Sequence, residues 1–80
     1  MKKLDVVIDN EIRDILKKIV EDCFWEKEIK IDWENPTPGE RYKDMSWYHV
    51  YYADPSDLIT LGTYIQIARD KIFRLKLQQQ

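Results

Sequence analysis

Along "KLDVVID" apolar and polar residues trade places in a two-residue rhythm: Leu4, Val6 and Ile8 fall on one side, Asp5, Val7 and Asp9 on the other. Successive side chains of a strand point to opposite faces, so this segment predicts a short strand with one buried face. The rhythm then changes. Ile12, Ile15, Leu16, Ile19, Val20, Cys23 and Phe24 recur at steps of three and four, which lines one stripe of an α-helix. Asp9 or Asn10 supplies its N-cap, and Glu11 places an acid in the first turn. "EIKIDW" returns to alternation, with Ile29, Ile31 and Trp33 inward and Lys30, Asp32 and Glu34 outward, the pattern of a strand at or near a sheet edge. "ENPTPGERYKDM" carries two prolines and a glycine and reads as a loop. "SWYHVYYA" is a third strand, dense in aromatics and valine. Asp54 then caps a second helix, with Pro55 at its first position and Asp57 as an acidic capping partner. The inward stripe of that helix is Leu58, Leu61, Ile65, Ala68, Ile72 and Leu75. "FRLKLQ", residues 73–78, alternates and offers a fourth strand, but no Gly, Pro or Asn separates it from the helix, so it reads as helix. Gly62, inside the same helix, is expected to permit close approach of a neighbouring backbone.

The order is strand, helix, strand, strand, helix. A parallel pair joined by a helix crosses over right-handed, and the most economical layout places the third strand between the first two. Its composition agrees, being apolar or aromatic on both faces as a central strand should be. The expectation is an α+β two-layer sandwich of order β-α-β-β-α, an incomplete ferredoxin-like arrangement. It has a three-stranded sheet and both helices on one face. Residues 1–77 form one domain, and 78–80 of the "QQQ" end form a frayed tail.

With both helices on one face, the central strand divides. Matching Val50 to the inward Ile and Val of the other strands puts Tyr48, Val50 and Tyr52 inside. Trp47, His49 and Tyr51 then lie on the uncovered face, with Val7, Lys30 and Asp32 as neighbours. A one-residue slip in register exchanges the two sets. Exposed rings of this kind either cover the sheet and hydrogen-bond at its rim or form a docking surface, since aromatics are favoured interface anchors.

Composition sharpens the choice. Eighty residues, 44% hydrophobic and 35% charged, describe one small globular domain. A chain this short has little apolar surface to spare for display, so any aromatic left outside is worth noticing. Net charge is −2, spread as −4 over residues 1–40 and +2 over 41–80. That balance lacks the strong basic patch of a general nucleic-acid binder. The single cysteine, Cys23, forms no intramolecular disulfide and suits a reducing compartment. Asp5 and Asp9 interrupt what would be the apolar part of a signal peptide, and the longest uncharged run, Leu58 to Ala68, is far short of the about 20 residues that span a membrane. The expected setting is cytoplasmic, with no membrane partner.

Several chemistries are poorly supported. A Cys–His nucleophilic pair needs both groups within hydrogen-bond reach, yet Cys23 belongs to the inward helix stripe and His49 to the opposite sheet face, so Cys23 reads as a small buried apolar residue. One His and one Cys at unrelated positions do not build a zinc site. His49 with Asp32 on a neighbouring strand is a candidate general-base pair, or part of a metal site completed by another chain. Gly39 and Gly62 begin no phosphate-binding loop, and "NPT" has proline where a glycosylation acceptor forbids it. No cofactor is expected.

Three functions remain. The first is a small non-enzymatic protein-binding module or regulatory inhibitor. Its surfaces are Trp47, His49 and Tyr51, the 34–46 loop with Arg41, Tyr42 and Lys43, and an open sheet edge at the first strand, which offers unpaired backbone to a partner protein or a second copy. Small acidic domains without catalytic motifs are common among phage and mobile-element proteins, an association rather than a derivation. The second is single-stranded nucleic-acid binding. The element order is shared with RNA-recognition domains, whose central strands stack bases on aromatics, but "SWYHVYYA" lacks their basic-Gly-aromatic-Gly pattern and Asp5 and Asp9 would repel phosphate. The third is a toxin-like ribonuclease using His49 with Arg41 or Lys43.

Overall fold

A computed structural model describes residues 1–23, 29–41 and 43–79. Phe24, Tyr42 and the Cys23 side chain, each given a role above, lie outside the described residues. The chain is α+β: an open antiparallel sheet of four strands with two helices packed on it, 19 Å through its thinnest axis. β1 (Lys2–Asp9) pairs along its whole length with β4 (Met45–Tyr52), from Lys2 opposite Tyr52 to Asp9 opposite Met45. β2 (Ile29–Ile31) lies on the other side of β4, Ile29 opposite Tyr52 and Ile31 opposite Val50. The strand rich in rings is therefore central, as its two apolar faces predict.

Among the described residues the sheet has four strands, not three. β3 (Thr37–Pro38) falls inside the expected loop and pairs with Trp47 and Ser46 of β4. Because β1 fills one edge of β4, β3 must share the other edge with β2. Between Ile31 and Thr37 the chain advances six residues while β4 advances three, so three extra residues bulge from this edge. Asp32 makes that break. Its N–H still donates to the His49 carbonyl (3.0 Å), but its carboxylate accepts from the Glu34 N–H (3.2 Å) and from the Asn35 amide (3.2 Å). An Asx turn results. Trp33 is thus not a strand residue. It packs edge-on to Tyr48, ring centroids 5.4 Å apart, and the Arg13 guanidinium lies over its ring at 5.7 Å from the centroid. Proline is tolerated in so short an edge strand because it lacks only an N–H.

Residues opposite one another in antiparallel strands share a face. One face carries Ile8, Ser46, Tyr48, Val50, Ile29 and Ile31, all buried. The helices close over it. A 3-10 turn (Asn10–Ile12) leads into α1 (Arg13–Cys23), and α2 spans Pro55–Gln78. Ile12, Leu16 and Val20 meet Leu61 and Ala68 in the same cluster, with Leu58, Ile65 and Ile72 packed at its margin.

The two helix entries differ. α2 begins as its sequence promises: the Asp54 carboxylate accepts from the Ser56 N–H (2.8 Å), and Asp57 accepts from the Asp54 N–H (3.1 Å), completing a capping box. The first helix has no side-chain cap. Asp9 and Asn10 are engaged elsewhere. The Asp9 carboxylate takes the Arg69 Nε–H of α2 (3.1 Å). Asn10 donates to the Lys43 carbonyl (3.1 Å) and accepts from the Ser46 hydroxyl (2.8 Å), locking the start of α1 to the turn before β4.

At the far end, residues 73–78 are helix. The 24 residues of α2 reach about 36 Å at 1.5 Å each, beyond the roughly 27 Å of an eight-residue strand. Leu75 is accordingly 47% exposed instead of inward. Gly62 also departs from expectation: a Cβ placed there meets nothing within 4 Å, so no backbone approaches it. Among the described residues no helix is long and apolar enough to cross a membrane.

Candidate protein-interaction face

The odd-numbered residues of β4 project from the sheet face that no helix covers, and the register gives each its neighbours. Tyr51 stands between Lys3 and Lys30, His49 opposite Asp5, and Trp47 between Val7 and Thr37. Met45 ends the row opposite Asp9. Trp47 is 47% exposed; His49, Tyr51, Val7 and Met45 are half-buried, and Lys3, Asp5, Lys30 and Thr37 are exposed. Half-burial of the flanking rings is what a flat, pleated surface gives when side chains lean on their cross-strand neighbours. On this face the exposed Trp47 ring therefore has an apolar cross-strand neighbour in Val7, while Tyr51 and His49 stand opposite charged residues.

His49 does not pair with Asp32, whose carboxylate is consumed by its own turn. Its Nδ1 contacts the Asp5 Oδ1 at 2.6 Å, with the side chains 35% and 54% exposed. This is the product of register, since Asp5 lies directly across the strand pair. The contact ties the imidazole of β4 to the carboxylate of β1. An aspartate on one ring nitrogen can orient the other as a base, but this pair lies on an open face rather than in a cleft. Among the described residues no group of three His, Cys, Asp or Glu is placed to hold a metal ion.

The loop residues divide. Arg41 borders the same shallow surface pocket as Trp47, together with Thr37, Pro38 and Glu40. β3 brings it there, because Thr37 stands opposite Trp47. Lys43 is exposed in the turn before β4, where its carbonyl serves Asn10. Of the residues on this face Lys3 goes unnamed in the sequence pattern; Asp5 is expected there, and the register adds that Lys3 stands opposite Tyr51 and that His49 meets Asp5 instead of Asp32.

No protein-family model, curated protein or solved structure matches the chain. Its functional reading rests on the residues themselves.

Proposed function

We propose that this chain is a non-enzymatic, regulatory protein-binding module that docks a partner protein on the uncovered sheet face, with Trp47 as the anchor. The observation that carries the reading is the exposure of the Trp47 ring beside Val7 on the sheet face that no helix covers. Tryptophan is over-represented among residues that dominate interface energies, and the Asp5–His49 pair and Lys3 supply the polar rim such an anchor needs. The placement of β4 between β1 and β2 supports describing the framework as an incomplete ferredoxin-like sandwich. The lone cysteine supports a reducing, cytoplasmic setting.

The test is affinity capture with the wild-type chain, Trp47→Ser, and Ile59→Ser on the outer side of α2 as control. The reading requires a partner retained by wild type and the control and lost with Trp47→Ser, all three showing the same circular dichroism. Capture indifferent to Trp47, or no capture, overturns it.

A second reading has one observation in its favour. Lys3 and Lys30 flank the Tyr51 ring, a cation–aromatic–cation row suited to a stacked base between phosphates. Tryptophan fluorescence titrated with mixed oligonucleotides at low salt decides it, and an unchanged signal removes it.

A further inference from the structure

The outer edge of β1 can be read atom by atom. The Asn10 N–H bonds the Asp44 carbonyl (2.8 Å) in the register of the β1–β4 pair. In an antiparallel ladder, hydrogen-bonded pairs alternate with non-bonded ones. Even-numbered residues of β1 therefore bond to β4, and Lys3, Asp5 and Val7 aim their backbone N–H and C=O groups away from the sheet. The opposite side of β4 agrees, since His49 and Met45 offer their carbonyls to Asp32 and Gly39. Long strand edges are normally blunted by a proline, a bulge, brevity or charged side chains, lysine above all. β1 runs eight residues without proline, bulge or break in register, and the charges on its outward residues, Lys3 and Asp5, are of opposite sign and can pair across a two-fold axis. The other edge is short and interrupted, with Pro38 in its last strand. Leu4 adds a second sign. Its side chain is on the helix-covered face opposite Val50, yet it is 44% exposed and outside the buried core cluster.

We infer that the occupant of this edge is a second copy of the chain, its β1 antiparallel to the first about a two-fold axis centred on Leu4. Charge and burial select that register. Centred on Leu4, each Lys3 stands opposite the partner's Asp5, twice by symmetry, and the two Leu4 side chains meet. Centred on Lys3 or Asp5, like charges face each other, which destabilises a strand pair. Centred on Val6, Leu4 would face Ile8, which is fully buried in its own core, and Lys3 would face Asp9, already held by Arg69. The exposed residues of β1 are also its first four, Lys2 to Asp5, whereas Val6 to Asp9 are half-buried or buried. The surface in want of a partner is thus centred where the charges match. The pairing extends two sheets into one, covers Leu4, and satisfies the outward groups of Lys3 and Asp5. It shares Lys3 and Asp5 with the rim of the Trp47 face but rests on the backbone edge of β1 and not on Trp47, so it stands whether or not that reading holds.

The experiment is size-exclusion chromatography with light scattering over a concentration series, any tag being at the C-terminus. The wild-type mass should rise toward twice 9.8 kDa. Lys3→Pro removes an outward N–H that the β1–β4 ladder does not use, so it should remain monomeric with an unchanged circular dichroism spectrum. K3D turns two attractive pairs repulsive, a roughly tenfold loss of dimer affinity (about 1.4 kcal/mol), and K3D/D5K should restore it. In a Cys23→Ser background, Leu4→Cys should oxidise to a disulfide-linked dimer, since facing residues of a non-bonded pair lie within bridging distance. A wild-type chain that stays monomeric throughout, a Lys3→Pro dimer, or Leu4→Cys that fails to cross-link overturns the inference.

Discussion

Gly62 offers the sharpest single test of how this fold is built. It lies in the first half of α2, in a stretch containing Ile59, Thr60 and Thr63, residues that lose rotamer freedom in a helix. Thr60 and Thr63 both turn their hydroxyls back onto carbonyls four residues earlier (3.3 and 3.2 Å). Propensity is therefore poor where the helix begins, and the capping box at Asp54 offsets it. Gly62 has no positive φ, so alanine adopts its backbone without strain, and the added Cβ meets no atom within 4 Å. Gly62→Ala then removes only the conformational freedom glycine loses on folding, about 0.5–1 kcal/mol in favour of the native state. For a domain near this size that is a rise of about 2–8 °C in Tm, or roughly 0.3–1 M in the urea midpoint. Thermal and urea unfolding followed at 222 nm measure both. An unchanged or lowered midpoint refutes the reasoning, because only a close backbone approach or a strained φ would cancel the gain.

Two further substitutions separate a tertiary lock from a helix cap. Asn10→Ala should cost about 1–3 kcal/mol, because it strands the buried Ser46 hydroxyl and frees the Lys43 carbonyl. In a double-mutant cycle with Ser46→Ala the two should couple by more than about 0.5 kcal/mol, and strict additivity in urea unfolding would return Asn10 to a purely local role. Asp54→Ala should cost about 0.5–2 kcal/mol by removing a working N-cap, with helical circular dichroism near the native value until the transition. A cost near zero would show that the capping box contributes nothing.

How much of this was legible in the sequence depends on whether the cause was local. β1, β4 and both helices follow from periodicity, because one buried face imposes period two on a strand and 3.6 on a helix. The faces of β4 follow too: Tyr48 and Val50 are buried and Trp47 is not. What failed has a non-local cause. Thr37–Pro38 is a strand only because the odd-numbered edge of β4 stands open beyond the turn at Asp32, and no propensity of "ENPTPG" announces that. Asp9 and Asn10 have the side chains of helix caps, but Arg69 and Ser46, 60 and 36 residues away, claim them first. His49 meets Asp5 because of register, which alternation alone leaves open. Leu4 has the pattern of a core residue and lacks only the cover.

That last mismatch connects the two surfaces. A strand that alternates well but stays exposed over its first half is consistent with a core completed from outside the chain. A two-fold axis through β1 runs perpendicular to the sheet, so both copies turn their uncovered faces to the same side. Each Asp5 then lies between its own His49 and the partner's Lys3, which ties the polar rim beside Trp47 to the strand pairing. Two Trp47 anchors on one side would let a weak single contact act with the avidity of a bivalent one. Leu4→Glu, on the helix-covered face away from Trp47, sets two like charges against each other at the axis and is the substitution that separates affinity from avidity in this chain.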